Sequence, residues 1–180
     1  MYKVRLHGRG GQGIKLAAHI LGRAAFLSGF QVQSFAVYGA ERRGAPLESF
    51  VRMDTKEILE RGYIFDPDFV ICVDDTLDIK RVVKGLKNSG KILINTRKYP
   101  GYFSFLKQKV YTVDATKIAL ETIGVPIPNT AILGAFAKVF KKIPLDNLKE
   151  AVKKELREEG KSELIDKNIK AVETCYEVLQ

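Results

Sequence analysis

The sequence predicts an α/β fold, a three-layer sandwich in which a mostly parallel open sheet carries helices on both faces and ends in a helical C-terminal tail. Strand-like and helix-like patterns alternate along the chain. The run DFVICVDD at 68–75 is nearly continuous in apolar residues, as in a strand covered on both faces. A glycine-rich turn at 8–13 joins the first strand to the first helix. The 180 residues are expected to form one domain, 1–180.

The N-terminal part is predicted to run strand, helix, strand, loop, strand. Residues 2–7 alternate between polar and apolar and end at a glycine, which predicts a strand. Apolar residues then recur at helical spacing until Gly29, a typical helix terminator. The predicted elements are a strand at 2–7, a helix at 14–27, a strand at 31–38, a loop at 39–46 and a strand at 47–53.

The remainder is predicted to alternate between buried strands and helices. Asp78 is a suitable N-cap for the helix that follows the apolar strand, and Asn129 or Thr130 is expected to cap a later helix. The tail is expected to contain two helices that break around Gly160. The predicted elements are strands at 68–75, 91–95 and 110–113, and helices at 79–87, 115–123, 129–140 and within 145–179.

The formal net charge is +9, and nine basic residues against one acid lie between 78 and 109. Such a stretch suits nucleic acid, an acidic partner subunit or a phosphorylated ligand. The simpler interpretation is a solvated helix face, because Ile79, Val82, Val83 and Leu86 form an inward stripe. No apolar run is long enough to span a membrane and no signal peptide is recognised, so a cytoplasmic location without membrane contact is expected.

The two cysteines, Cys72 and Cys175, lie in apolar or amphipathic stretches and are predicted to be buried thiols. Because the chain has no CxxC pair, it is not expected to assemble a four-thiolate iron–sulfur or zinc site by itself. No serine–histidine–acid or cysteine–histidine constellation is recognised, so no catalytic residue and no metal site are predicted.

The glycine-rich segment carries the first pattern with a chemical meaning. Its glycines match G-x-G-x-x-G and lie between a predicted strand and a predicted helix, as phosphate binding requires. The N-terminus of the helix would offer N–H groups and partial positive charge to an anion. Alternatively, the glycines serve only a tight turn. The predicted binding residues here are Gly8, Arg9, Gly10, Gly11, Gln12 and Gly13.

The loop at 39–46 is predicted to complete this site. A dinucleotide site needs an acid at the end of the second strand, ~20 residues after the motif. That strand has none, and Glu41 is flanked by Arg42 and Arg43, which disfavours NAD but leaves NADP open. Because parallel strand ends share one edge of a sheet, Arg9, Arg42 and Arg43 are expected to converge on an anionic group. An exposed ion-paired loop and a docking surface for another subunit are the alternatives.

Three segments together resemble one protein family. HGRGGQG near the start, YGAERRGAP after the second strand and PNTAILGA before the helical tail are similar in order and spacing to the gamma subunits of pyruvate:ferredoxin oxidoreductases. The related 2-oxoisovalerate enzymes use a similar or shared gamma subunit. The resemblance covers essentially the whole chain. The ERRGAP loop resembles the pyruvate type more than the indolepyruvate or 2-oxoglutarate types.

The resemblance implies a subunit of a pyruvate synthase-type enzyme that converts a 2-oxoacid and coenzyme A to acyl-CoA, CO2 and reduced ferredoxin. Alpha, beta and delta subunits would be its partners and would carry thiamine diphosphate and 4Fe–4S clusters, with ferredoxin as electron acceptor. This chain would not be catalytic alone. It is expected to contribute to coenzyme A binding, through residues 9–13 and 41–43, and to assembly.

Two other functions stay open at the level of sequence. One is a free-standing NADP-binding Rossmann-type dehydrogenase; the other is a basic nucleic-acid module that uses residues 78–109, although no recognised nucleic-acid-binding arrangement accompanies them. His7 ends the first strand beside the turn, where a structural role is favoured over ligand contact. Asp74 and Asp75 are adjacent on a strand and point to opposite faces, which makes them a poor acid–base pair.

Overall fold

The structure, a computed structural model, describes residues 1–36 and 44–179. Its strands are, in chain order, β1 (Tyr2–Arg9), β2 (Gln31–Ala36), β3 (Pro46–Asp54), β4 (Phe69–Cys72), β5 (Lys91–Asn95) and β6 (Lys109–Val113). They form one six-stranded sheet in the order β2-β3-β1-β4-β5-β6. The last two residues of the predicted second strand and most of the predicted loop at 39–46 lie outside the described ranges.

β1, β4, β5 and β6 pair in parallel, whereas β3 pairs antiparallel with both β1 and β2. Every strand except β3 therefore points in the same direction, which confirms the mostly parallel sheet. β3 lies between β1 and β2, and its first residue, Pro46, stands opposite Arg9. The carboxyl ends of β1 and β4 meet at the same edge of the sheet, where His7 stands opposite Cys72.

The helices confirm the predicted α/β class. They are α1 (Ile14–Leu27), α2 (Ile79–Val82), α3 (Ala115–Thr122), α4 (Ala131–Phe140), α5 (Leu145–Glu158) and α6 (Ile165–Val178), and single 3-10 turns lie at Pro100–Phe103 and Ser162–Leu164. The predicted helical tail corresponds to α5 and α6, and Gly160 lies in the break between them with φ of 71°.

Five of these helices, α1 and α3 to α6, gather on one face of the sheet, which we call the helix-covered face. Its core joins strand residues such as Leu6 and Ile71 to helix residues such as Phe136, all nearly or fully buried. α4 and α6 approach so closely that a Cβ on Gly134 would lie 1.9 Å from the carbonyl oxygen of Val172. This face is apolar and tightly packed.

Among the described residues, the opposite face carries α2, the 3-10 turn at Pro100–Phe103 and the loop that precedes β4. We call it the cleft face. A small apolar cluster lies over β4 and β5, and it includes Cys72, Ile94 and Phe103. Over β1 and β3 the buried side chains include polar ones beside Phe50, among them Arg5 and Arg52, which are 6% and 2% exposed. The predicted helices on both faces are confirmed, but the two layers are unequal.

α2 ends at Val82, although the sequence predicted a helix to residue 87. The carbonyl oxygens of Val82 and Lys84 accept hydrogen bonds from Nη2 of the buried Arg5, at 3.0 and 2.6 Å. Gly85 then takes φ of 80°, which turns the chain away from the helix axis. The side chain of Arg5, which is distant in sequence, thus bonds to carbonyl oxygens that would have accepted backbone N–H groups in a longer helix. The predicted N-cap is confirmed, since the Asp78 carboxylate accepts from the Lys80 N–H.

Thr130, one of the two predicted caps, occupies the N-cap position of α4, which begins at Ala131, but its side chain makes no capping hydrogen bond. Asn129 instead donates through Nδ2 to the carbonyl oxygen of Gly13, at 3.3 Å. Both cysteines are fully buried, as predicted, and burial raises the pKa of each thiol to about 12.

Candidate functional site

The glycine-rich turn connects β1 to α1 and is tightly packed. Gly8 still belongs to β1, and a Cβ there would lie 2.3 Å from Cδ1 of Ile14. Gly13 adopts φ of 69°, and a Cβ on it would lie 2.2 Å from Nδ2 of Asn129. The first glycine lets the helix approach the strand, and the last lets the segment before α4 close over the turn. These are physical reasons for glycine that hold with or without a ligand.

Gln12 closes the turn with its side-chain amide. Its Oε1 accepts a hydrogen bond from the backbone N–H of Arg9 at 2.7 Å, and its Nε2 donates to Oδ2 of Asp74 at 2.7 Å. The sequence assigned Gln12 to ligand binding. In the structure its side chain fixes the shape of the turn and ties it to the end of β4.

The Arg9 side chain is held by three neighbours. Nη2 and Nε donate to Oγ1 of Thr76 at 2.9 and 3.2 Å, and Nη1 donates to the carbonyl oxygen of Gly44 at 3.1 Å. Nε also lies 3.2 Å from Oδ2 of Asp74. The guanidinium therefore links β1, the residues after β4 and the start of the segment that leads into β3. It adds positive charge at this edge while its donors are largely occupied within the protein.

Asp74 is the acceptor around which this network is built. Its Oδ1 accepts from the N–H and the Oγ1–H of Thr76, at 2.9 and 2.6 Å. Burial favours the neutral acid, but the hydrogen bonds from Thr76 and Gln12 and the charge of Arg9 hold the pKa of Asp74 below its ordinary value. Asp75 turns away and accepts from Oγ1 of Thr96 at 2.5 Å. The two adjacent carboxylates thus bond to different neighbours, Asp74 to the glycine turn and Asp75 to the residue that follows β5.

The described end of the predicted anion-binding loop is bonded to the turn. The Gly10 N–H donates to the carbonyl oxygen of Ala45 at 2.9 Å, and the Gly44 N–H donates to that of Gly10 at 3.1 Å. Residues 44 and 45 therefore lie beside the glycine turn. Glu41, Arg42 and Arg43, the other predicted binding residues, lie outside the described ranges.

The N-terminus of α1 adds electrostatic attraction for an anion. Gly13 stands at the N-cap position without a side chain, and the first turn contains no acidic residue. The partial positive charge of this 14-residue helix is thus not balanced by a carboxylate within the helix. A phosphate group at the turn would meet backbone N–H groups together with this charge.

A cleft of about 660 Å³ extends from the glycine turn across the cleft face. His7 and Arg5 lie at its base, and Nε of Arg5 donates to Nε2 of His7 at 2.9 Å. Burial, together with the charge of Arg5, lowers the pKa of His7 to about 3. His7 is therefore neutral at physiological pH, and its Nδ1 carries the proton and faces Oε1 of Glu48 at 3.4 Å.

Nearly the whole chain matches one protein family. A family model described as pyruvate ferredoxin/flavodoxin oxidoreductase matches residues 3–178. The chain belongs to this oxidoreductase family. Pyruvate synthase subunit PorC of Methanocaldococcus jannaschii is 47% identical over 177 residues, which cover 98% of this chain and 96% of that protein. The pyruvate/ketoisovalerate oxidoreductases common subunit gamma of Pyrococcus furiosus is 45% identical, with 98% and 96% covered.

A solved structure of the oxidoreductase family agrees with these matches. The crystal structure of pyruvate oxidoreductase subunit PORC from Thermotoga maritima superposes with a TM-score of 0.86 at 36% identity, and 99% of this chain and 97% of that chain are covered. The resemblance to the gamma-subunit family is thereby confirmed. Nothing in these comparisons supports a free-standing NADP-binding dehydrogenase, and β3 separates the end of β2 from β1, unlike the strand order of a dinucleotide-binding fold.

Within residues 1–36 and 44–179, no helix is both long enough and apolar enough to cross a membrane. In the same part of the chain, no group of three or more His, Cys, Asp or Glu side chains is placed to hold a metal ion.

Sequence reasoning missed the roles of Asp74, Thr76 and Arg5. A signal for the first two was present, because polar residues that directly follow a buried strand lie at the edge where a parallel sheet binds ligands. For Arg5 the signal was a basic residue inside a strand whose side chains alternate between the two faces of the sheet. Both faces were predicted to be covered by helices, so this basic side chain had to be buried. Neither signal names the long-range partners, which lie 59 to 79 positions away in sequence.

Proposed function

We propose that this chain is the gamma subunit of a pyruvate or 2-oxoisovalerate:ferredoxin oxidoreductase, in which it helps to bind coenzyme A and to assemble the complex. The reaction converts the 2-oxoacid and coenzyme A to acyl-CoA and CO2, and the two electrons released reduce ferredoxin. The two relatives named above are subunits of pyruvate and ketoisovalerate oxidoreductases, and these names support the substrate class.

One observation carries the coenzyme A proposal: the glycine turn, the uncapped N-terminus of α1 and the Gly44–Ala45 backbone meet at one edge of the sheet. Coenzyme A presents a pyrophosphate and a 3′-phosphate, and such groups suit backbone N–H groups at a helix N-terminus flanked by arginines. The hydrogen bonds among Gln12, Asp74 and Arg9 hold the turn in one shape before any ligand arrives, which lowers the entropic cost of binding.

The chemistry of the reaction is assigned to other subunits. Thiamine diphosphate and the 4Fe–4S clusters would lie on the alpha, beta and delta subunits, since the two cysteines of this chain are buried, protonated thiols unsuited to metal ligation. The role of this chain is then to position coenzyme A against a catalytic centre that its partners supply. The complex is expected to reside in the cytoplasm.

The proposal is tested by replacing Arg42 and Arg43 together with alanine in the assembled complex. Loss of two phosphate-binding cations should raise the KM for coenzyme A by about tenfold or more while the KM for the 2-oxoacid stays unchanged. Lys153→Ala with Lys154→Ala, on α5, removes the same charge from a different surface and serves as the matched control. Unchanged coenzyme A kinetics together with failed assembly would show that the arginines dock a partner subunit instead.

Partners and cofactors are tested separately by mass spectrometry of the intact complex purified from native cells. Three further subunits with thiamine diphosphate and iron–sulfur clusters are expected in the same particle. Isolation of this chain alone would contradict the assignment of partners.

A further inference from the structure

The segment between β5 and β6 presents three aromatic side chains to solvent. Tyr99, Tyr102 and Phe105 lie close together in the chain and are 72%, 53% and 55% exposed. Phe103, which stands among them, is instead buried in the small apolar cluster over β4 and β5. A group of exposed rings is typical of a surface that another molecule covers, because each ring leaves a large apolar area in water. We call Tyr99, Tyr102 and Phe105 the ring patch.

The backbone that carries the ring patch is held in one conformation. In its 3-10 turn, the Tyr102 N–H donates to the carbonyl oxygen of Tyr99 at 3.0 Å. The buried Phe103 ring meets those of Tyr102 and Phe105, with centres 5.2 and 6.3 Å away. A Cβ on Gly101 would lie 2.6 Å from Cε2 of Tyr99, so the glycine leaves room for that ring. A surface that is preformed in this way loses little conformational entropy when a partner binds.

The ring patch lies in the C-terminal part of the basic stretch at 78–109. Residues 97–113 include four basic residues and no acid, and the four are Arg97, Lys98, Lys107 and Lys109. The Arg97 side chain is 87% exposed and forms an ion pair with Asp114 at 3.3 Å. Exposed pairs of this kind are weak, so the guanidinium can pair with a second carboxylate. A partner surface that carries Asp or Glu side chains therefore complements the charge of this segment.

The contacts of the rings favour a protein over a nucleic acid as the occupant. Nζ of Lys98 lies 4.4 Å from the centre of the Tyr102 ring, so a cation already covers one face of that ring. The Tyr99 ring lies close to Gly101. Single-stranded nucleic acids bind by stacking their bases on open ring faces, which are reduced here. A protein partner needs only exposed rings with charge around them, and aromatic residues and arginine are the types enriched at protein interfaces.

The segment that carries the ring patch begins at the edge of the sheet where the glycine turn lies. Oγ1 of Thr96, directly after β5, donates to Oδ2 of Asp75 at 2.5 Å, and Nζ of Lys98 lies 3.9 Å from the same carboxylate oxygen. The neighbouring Asp74 accepts from Gln12 of the glycine turn. A protein that covers the ring patch would therefore stand beside the turn where coenzyme A is proposed to bind.

We propose that the ring patch is the docking site for an acidic surface of a partner subunit of the oxidoreductase. The three rings lie at the centre of the interface, and Arg97 and Lys98 pair with carboxylates of the partner. The inference rests on the proposed function, because the partner is another subunit of the same complex. It gives a role to exposed aromatic and basic residues that coenzyme A binding leaves unused.

The first test measures how tightly the chain is held in the complex. Tyr99→Ala is co-expressed with the partner subunits, and release of the chain on dilution is followed by native mass spectrometry. Loss of an interface ring should raise the dissociation constant of the chain by about tenfold or more. Phe26→Ala removes a ring that is 66% exposed at the end of α1, and it should change the constant by less than about twofold. An unchanged constant in Tyr99→Ala would overturn the proposal.

The second test examines the charge of the partner. A carbodiimide joins an amine to a carboxylate that touches it, and in the native complex it should join Lys98 to an Asp or Glu of a partner subunit. Arg97→Glu with Lys98→Glu should release the chain at an ionic strength at which the wild-type complex stays intact. Lys167→Glu with Lys170→Glu, at exposed positions on α6, is the matched control and should not. Either an intact Arg97 and Lys98 double variant or cross-links from Lys98 to this chain alone would contradict the proposal.

Other outcomes would identify a different occupant or a failed function. If a single-stranded oligonucleotide binds the wild-type complex and not the Arg97 and Lys98 double variant, the ring patch binds nucleic acid and the docking proposal is wrong. If the ring-patch variants stay in the complex and the wild-type chain still purifies with partner subunits, the docking inference alone is wrong. If the wild-type chain purifies without partners, the proposed function is wrong as well.

Discussion

The two faces of the sheet are built from the same strands but are stabilised by different means. On the helix-covered face, Leu6 and Ile71 bury apolar surface under five helices. On the cleft face, the two residues that flank Leu6 in β1, Arg5 and His7, are buried with hydrogen bonds instead. Apolar packing can be satisfied by many sequences of similar volume, whereas a buried arginine needs particular acceptors. The first face therefore supplies stability, and the second fixes the geometry of loops around a cleft.

The largest effect is expected on the helix-covered face. Phe136 is 1% exposed and its ring contacts Phe69 and Phe140, so Phe136→Ala should lower the free energy of unfolding by about 4 kcal/mol through lost burial and an internal cavity. Denaturant unfolding of the purified chain measures this loss. Phe105→Ala, at a ring that is 55% exposed, should cost less than about 1 kcal/mol. Similar losses for both variants would contradict the distinction between the faces.

On the cleft face the largest effect is expected at Arg5. Arg5→Met keeps most of the side-chain volume but leaves the carbonyls of Ile64, Val82 and Lys84 without their donor, which should cost about 3 kcal/mol. The loop at 62–65 should become more susceptible to proteolysis, and hydrogen exchange should increase there. Arg97→Met, at a side chain that is 87% exposed, is the matched control and should cost less than about 1 kcal/mol. If Arg5→Met is as stable as the wild type, apolar packing alone holds this face.

A smaller effect is expected at Asp74, which bonds to Gln12 of the glycine turn. Asp74→Ala removes the acceptor of Gln12 and Thr76, which should cost about 2 kcal/mol and raise the KM for coenzyme A because the turn loses its fixed shape. The folded-state pKa of Asp74 is depressed, so its contribution to stability is present above the unfolded pKa of ~3.9 and disappears as pH falls through the lower folded value. The stability difference between wild type and variant should therefore shrink below about pH 4. A difference that is constant from neutral to acid pH would contradict the ionised hydrogen-bonded state.

The smallest effect concerns His7, which is neutral in the fold with a pKa of about 3. Below its unfolded pKa of ~6.5 the unfolded chain binds a proton that the folded chain does not, so stability falls as pH decreases from about 6.5 towards 3. The expected loss is about 1.4 kcal/mol at about pH 5.5. In His7→Gln, a neutral side chain that can also accept from Arg5, this part of the pH profile should be flat. Parallel profiles for wild type and variant would show that His7 is charged in the fold.

Much of the fold and part of the site could be predicted from the sequence because the determining interactions are local or periodic. Alternation in 2–7, the apolar run around Val70 and the helical spacing in 14–27 each depend on residues close in the chain. The glycine turn was also evident, because glycines such as Gly8 and Gly13 are typical of a tight connection between a strand and a helix. The sequence did not show that Asn129, the other candidate cap of α4, bonds to the turn, 116 residues away. α2 was predicted too long because Arg5, nearly 80 residues away, donates a hydrogen bond to the carbonyl oxygen of Lys84, within the predicted helix.

By itself, the sequence determined the fold class, the order of most elements, the position of the glycine turn and the family resemblance. These follow from periodic burial and from residue types with restricted backbone conformations. Only the tertiary structure decided that β3 enters between β1 and β2, that Gln12 and Arg9 bond to Asp74 and Thr76, and that a cleft opens behind the turn. Each of these depends on which distant donor reaches which acceptor, and a hydrogen bond between residues 62 or more positions apart leaves no periodic signal in the chain.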